Sequence, residues 1–472
     1  MFKAKNLFFV TYLALTALIF LTFSASFQVY ISFFISNLFL LLVVIYHLFY
    51  ERDYSPFISS YIVFYLLFFL LAPISQINSF SGVEGSRLVN FFIYKENLVV
   101  YANTLIIIFN IIFICFYIEL KKKILKTKNI FLKETSKKYL PVILSILLII
   151  SLLGFLSSYS FIKDEFFNPN WLKSQETSKA KVLINKKFIF MIPFTGLVLC
   201  IKYIKSQKKQ LVNYIIILAF FVIFFMLLFW FKNPLTEKRN ALGPLYICLI
   251  FLFFPKLLNS NVKTLSFLFF SMIIVFPLTA IITHSDATLA EIYNNPLILI
   301  NQMKGGGIIK AFNTLNYDAF FNFTASIDYV DKNGFSFGYQ LLGGLLFFVP
   351  RSFWTSKPVS SGELVGDYLV NDFGFNFTNL SNPYVSEGFL NFGLIGVIIY
   401  PIILAYVLII MLQWIKSKNH LKRIMSFYFA MHLLFFLRGD FTNGFSYYIA
   451  PLIAVVYLPN FIEFIIKNIV KR

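Results

Sequence analysis

Apolar runs of about twenty residues recur along almost the whole chain, parted by short polar stretches, and no other feature limits the fold so severely. A helical run of that length matches the roughly 30 Å hydrocarbon core of a bilayer at about 1.5 Å per residue. Inside hydrocarbon every backbone N–H and C=O must be satisfied within its own segment, so such runs are helices. The 472 residues are 59% hydrophobic and only 13% charged, with mean hydropathy +0.77. A soluble domain has too little core to hide that much apolar surface. The sequence therefore predicts an all-α polytopic membrane protein, one integral domain over residues 1–472. About twelve transmembrane helices are expected, near residues 7–24, 29–50, 56–75, 98–118, 139–159, 188–201, 211–232, 241–254, 264–283, 389–412, 424–437 and 446–466.

The net charge of +20 is distributed in a way that argues against nucleic acid as its partner. Lysines crowd the connections after the fourth, sixth and tenth runs, at Lys121–Lys138, Lys202–Lys209 and Lys416–Arg423, and Lys3, Lys5, Lys471 and Arg472 flank the ends. With twelve spans all of these fall on one side, and the positive-inside rule places both termini in the cytoplasm of a bacterial inner membrane. Topology anchoring and attraction to anionic membrane lipids account for them. The first run, behind Lys3 and Lys5 and ahead of Ser24-Ala25-Ser26, is laid out like a signal peptide but is long for one, and cleavage would leave the sidedness unchanged.

The external, periplasmic connections are then 76–97, 160–187, 233–240, 284–388 and 438–445. The long loop 284–388, between helices 9 and 10, carries nine acidic residues against five Lys and Arg, the reverse of the lysine-rich side. A loop of that size is usually functional. Its apolar stretch Tyr339 to Val349 is too short to span and is expected as a helix lying at the outer interface.

No phosphate-cradling, dinucleotide or metal-ligand pattern occurs, so no cofactor and no metal are expected. The three cysteines lie within apolar runs. Chemistry must rest on Arg, Lys, carboxylates and the four His. Two segments stand out, Pro350-Arg351-Ser352-Phe353-Trp354-Thr355-Ser356-Lys357-Pro358 and Glu387-Gly388-Phe389-Leu390-Asn391-Phe392-Gly393-Leu394-Ile395-Gly396. Arg offers a fixed fork of donors to phosphate oxygens and Lys a point charge. Trp354 and Tyr339 suit the apolar faces of sugar rings. The plainer alternative makes Arg351, Trp354 and Lys357 interface anchors. Glu387 is the first candidate for a general base and His284 the second, with an N-terminal helix cap beside Ser386 as the alternative for Glu387. Asp440 is expected to pair with Arg438.

These two segments resemble the signature region of the O-antigen polymerase (Wzy) family, with ten residues separating Arg351 from Gly362. Lys238-Arg239-Asn240 is similar to a second family element, although the glycines usual before that Arg are replaced by Leu235-Thr236-Glu237. The resemblance implies a membrane glycosyltransferase that polymerises undecaprenyl-pyrophosphate-linked repeat units into surface polysaccharide at the periplasmic face, with a chain-length regulator as a further partner. On that footing Arg239, Arg351, Lys357 and Arg438 would bind pyrophosphate, Trp354 and Tyr339 glycan, and Glu387 or His284 would take the acceptor proton. A lipid-linked oligosaccharide flippase and an O-antigen ligase are the alternatives. The dominant loop, the boundary arginines and the lack of repeated halves favour the polymerase over a transporter.

Overall fold

The computed structural model describes residues 2–80, 95–124, 139–167, 185–206, 211–234, 237, 239–275, 295, 297, 312 and 315–470. Among these the chain is all-helical. The helices are α1 (Phe2–Thr22), α2 (Phe27–Tyr50), α3 (Pro56–Asn78), α4 (Glu96–Ile124), α5 (Leu140–Phe167), α6 (Asn185–Ile204), α7 (Leu211–Phe231), α8 (Arg239–Phe253) and α9 (Asn261–Phe270). They continue with α10 (Ala319–Asn333), α11 (Tyr339–Leu345), α12 (Ser361–Phe373), α13 (Tyr384–Ile415), α14 (His420–Arg438) and α15 (Phe441–Val470). A helix lies over each of the twelve apolar runs, and among the described residues nine helices are long and apolar enough to cross a membrane.

Burial grades these helices. Every residue of the apolar window of α3 is buried, which makes it the central post, whereas α1 and α7 leave most of theirs at the surface. The outward faces carry Leu7, Leu18, Leu21, Ile215 and Met226. Side chains of that kind face hydrocarbon at no hydrophobic cost. The backbone of α3 loosens into a π turn at Leu66–Leu71, and α15 does the same at Ile453–Tyr457, just after Pro451 removes a backbone donor.

The connections sort to two ends. At one, the lysine end, the buried Glu51 accepts from Lys121 Nζ (2.6 Å) and Tyr117 Oη (3.0 Å) and meets His47, while Asp53 pairs with Lys416 at 2.8 Å. Tyr54 reaches the carbonyl of Leu258, and Asn261 the carbonyl of Asp53. Burial pushes the Glu51 carboxyl up, but His47 and Lys121 outweigh it and hold it below the ordinary carboxylate range; Lys416 lowers Asp53 likewise. At the other, the loop end, Gln76 donates to the carbonyls of Phe312 and Tyr317, Lys95 approaches Asp328 at 3.7 Å, and Lys187 meets Ser446 at 2.6 Å. Among the described residues, the turns after the second, eighth and tenth runs lie at the lysine end and those after the first and eleventh at the loop end.

The stretch read as one long loop is in part core where it is described, with 331–360 mostly exposed or half-buried. Residues 319–328 of α10 are all buried, and a small apolar core of Phe321, Ala325, Val365, Leu369 and Leu380 joins α10 to α12. Gly362 and Gly366 let α12 lie directly on the extended chain at 378–380, because a Cβ at either would sit 2.1 or 2.0 Å from the carbonyl oxygens of Leu380 and Thr378. Within 339–349 the helix runs over Tyr339–Leu345; Gly344 is pressed against Phe441 and Thr442 of α15, while Tyr339, Leu342, Leu345 and Phe348 keep an exposed apolar face.

Candidate active site

The site is built on a fold-back in α13. Gly393 has φ 61° and ψ −138°, a backbone conformation open essentially to glycine alone, and it divides the helix into legs 384–392 and 394–415. The legs run back beside each other. A Cβ on Gly396 would lie 1.8 Å from the carbonyl oxygen of Gly388, and the rings of Tyr384 and Tyr400 are 5.1 Å apart. Phe335 covers Gly393, Gly338 (φ 84°) admits Phe392, and Ser336 donates its N–H to the carbonyl of Leu390 at 2.9 Å. Asn391 fixes the joint by donating to the carbonyl of Glu387 and accepting from the N–H of Leu341. The second leg is roughly 33 Å long at about 1.5 Å per residue, enough to cross the hydrocarbon. The first leg therefore re-enters the bundle from the loop end, and residues 380–391 are buried throughout. Irregular backbone at such depth survives only inside protein or beside a cavity.

Glu387 lies on this re-entrant leg, 2% exposed. Its Oε1 accepts from the Ser361 hydroxyl at the start of α12 and from the Phe441 N–H (2.7 Å) at the start of α15. Two helix N-termini thus converge on one buried carboxylate. Both donors use Oε1, which leaves Oε2 as the oxygen placed to receive a proton. Glu387 is not a cap of its own helix, whose N-cap is Pro383 and carries no side-chain hydrogen bond. The Ser386 hydroxyl is buried without a partner, as are Tyr400 Oη and Asn382 Nδ2 on the same fold-back.

Arg438, at the end of α14, pairs with Asp318 at 3.0 Å and lies over the Phe68 ring at 5.8 Å. Asp318 is buried and also accepts from the Ser381 hydroxyl. The expected pairing of Arg438 with Asp440 is not formed. Asp440 instead caps α15, accepting from Asn443 N–H (2.8 Å) and from its side-chain amide (2.7 Å). A carboxylate and a guanidinium held this far from water must be paired, and Arg438 meets that need for Asp318.

The other predicted residues form a second group. Arg351, exposed in the turn after α11, donates to the carbonyls of Lys357 and Pro358 and has further N–H donors facing outward. Lys357 Nζ donates to the carbonyls of Leu346, Phe347 and Val349 at 2.8–3.0 Å, so its three protons close the end of α11. Burial, and then the neighbouring Arg351, lower its pKa. Trp354 packs edge-on against Tyr339 at 6.0 Å, and Tyr339 Oη donates to the carbonyl of Ser356. The two groups meet through α11, which touches Phe441, the donor to Glu387. Arg239 opens α8, but its side chain, like all of His284, lies outside the described residues.

Sequence reasoning missed Asp318, Ser361 and Ser381. Ser361 had a local mark, since Ser360 and Glu363 form the N-terminal cap of α12 with Ser360 Oγ accepting from the Glu363 N–H. Asp318 had none.

Residues 367–470, which carry the fold-back, Glu387 and Arg438, match the family model described as O-antigen polysaccharide polymerase Wzy. The resemblance is to the Wzy family. No curated protein and no solved structure matches the chain. The Wzy match takes in most of α12 and all of α13, α14 and α15, and it begins after the Arg351 turn and Ser361. It thus covers the re-entrant carboxylate and not the cationic turn at 350–358.

Proposed function

We propose that the chain is a membrane glycosyltransferase that extends a lipid-linked glycan, transferring a growing chain from undecaprenyl pyrophosphate to a single lipid-linked repeat unit at the periplasmic face of the inner membrane. The observation that carries this is a buried glutamate on a re-entrant leg inside the Wzy-matching region. Ionisable groups at membrane depth are costly and are kept where they act on a substrate.

In this reading the loop end faces the periplasm, as the clustering of lysines at the opposite end favours. The acceptor hydroxyl oxygen attacks the anomeric carbon of the donor sugar, its proton passes to Glu387 Oε2, and the bond from that carbon to the pyrophosphate oxygen breaks. The departing lipid pyrophosphate keeps the electron pair, and fixed cations stabilise it more than the ground state. Arg351 is suited to this, since its remaining donors are outward while Lys357 is engaged and Arg438 is neutralised by Asp318. Arg239 is a second candidate cation. Trp354 and Tyr339 would seat a sugar face, and the unpartnered Ser386, Asn382 and Tyr400 would take glycan hydroxyls. Deleting the gene and running surface glycan on a gel tests the class. A core carrying one repeat unit is expected; loss of every repeat would point instead to a flippase or a ligase.

A further inference from the structure

Glu387 is only 2% exposed, so an acceptor hydroxyl meets it only after a covering element moves. Of the two elements that bond its Oε1, α15 is a 30-residue span, whereas α12 has 13 residues and non-helical chain on both sides, at 346–360 and 374–383. Among the described residues the buried apolar side chains of α12, Val365, Tyr368 and Leu369, pack with Phe321 and Ala325 of α10 in a cluster apart from the main core. Gly362 and Gly366 seat α12 directly on residues 378–380, so the helix and its return chain form one body. That body is latched to α10 by polar groups. Tyr368 Oη donates to the Asp328 carboxylate and accepts from Lys332 Nζ at 2.6 Å, and Lys332 reaches Asp328 at 3.3 Å and Asp372 at 3.7 Å. Lys332 and Asp372 lie at the surface, where such pairs hold weakly.

We propose that α12 with residues 374–380 is a lid over Glu387, latched to α10 through Tyr368, which lifts to admit the acceptor and closes to keep water from the donor sugar. This role rests on Glu387 being the proton acceptor; the motion itself does not. A small apolar contact with polar ties at the surface belongs to the low-stability end of a fold, from which lids are drawn. The Arg351 turn stays behind when the lid lifts, because Lys357 is bonded to the end of α11 and Pro358 is packed on Gly343. Val359 and Ser360 are then the first hinge. Ser381 is tied to Asp318, which puts the second at the 380–381 junction. Closure serves extension, since a water oxygen attacking the anomeric carbon would release the glycan instead of lengthening it.

Thiol labelling of the purified full-length protein in detergent tests the motion. With the exposed Cys115 replaced by Cys115→Ser, Ser361→Cys puts a thiol beneath the lid and Glu363→Cys puts one on its outer face. Maleimide is expected to modify the first more slowly than the second by about tenfold or more. Tyr368→Phe keeps the ring packed and loses both polar ties, and is expected to speed the first about tenfold and leave the second unchanged. The buried Cys200 and Cys248 stay unmodified throughout, which separates lid opening from general unfolding. Equal rates at 361 and 363, or no acceleration by Tyr368→Phe, would overturn the lid. Its role is tested by pinning it: Lys332→Cys with Asp372→Cys, joined by a bifunctional thiol reagent that reductant cleaves, is expected to stop extension of a lipid-linked glycan, and reductant to restore it. Unchanged extension by the bridged protein would overturn that role. Absence of extension before bridging, with labelling as expected, would instead count against the glycosyltransferase reading and leave the motion standing.

Discussion

Among single residues, Glu387 and Arg351 are placed to act, whereas Arg438 holds the site together. Glu387 keeps both hydrogen bonds in Glu387→Gln, because an amide oxygen accepts from Ser361 and Phe441 as a carboxylate does. It loses only the ability to take a proton, so turnover of the purified enzyme should fall by about a hundredfold or more with substrate affinity unchanged. Arg351→Ala should cut transfer by roughly a hundredfold, the usual cost of losing one charge-stabilising donor, while membrane insertion stays normal. Normal glycan lengths in that variant would leave Arg351 as an interface anchor. Arg438 is of the other kind. Arg438→Met strands Asp318 as a buried, uncompensated carboxylate, and removal of one partner of such a pair costs about 3–5 kcal/mol. The amount of folded protein recovered in detergent should drop accordingly. Asp318→Asn in addition should restore part of it.

At the scale of elements, the glycines of the Glu387–Gly396 motif are explained by the fold-back and not by helix entry. Gly393→Ala places a side chain at φ 61° and against Phe335, a conformation costing about 1–3 kcal/mol. It should open the angle between the legs, withdraw Glu387 from Ser361 and abolish polymer extension while the protein still inserts; full-length glycan from this variant would contradict the fold-back. The apolar runs were legible in the sequence because a bilayer imposes their length. The fold-back was not, since the Asn-Phe-Gly-x-x-Gly pattern marks a special backbone without giving its direction. Nor was α10, whose sequence mixes Phe with Asn, Ser, Thr and Asp and shows no run of spanning length. Asp318 finds Arg438 across 120 residues, and no local pattern announces such a pair.

Across the whole molecule, charge divides the two ends by task. The lysine end is a network of buried and half-buried ion pairs, and Glu51 and Asp53 are depressed in the folded state. A depressed carboxylate contributes stability in full above its unfolded value and loses it as pH falls through the folded value. Thermal unfolding should therefore hold steady near neutrality and fall at pH below about 4.5, the ordinary value for Glu51. Lys121→Met should flatten that fall while lowering stability at pH 7. At the loop end, beside pairs such as Lys95–Asp328, Glu387 sits on the re-entrant leg and Arg438 at the end of α14, the arrangement on which the proposed transfer rests. Its most direct test is the surface glycan of cells whose only copy carries Glu387→Gln, resolved on a gel beside the amount of inserted protein. The account predicts wild-type levels of protein and glycan that stops at a single repeat unit; a ladder of normal length would contradict it.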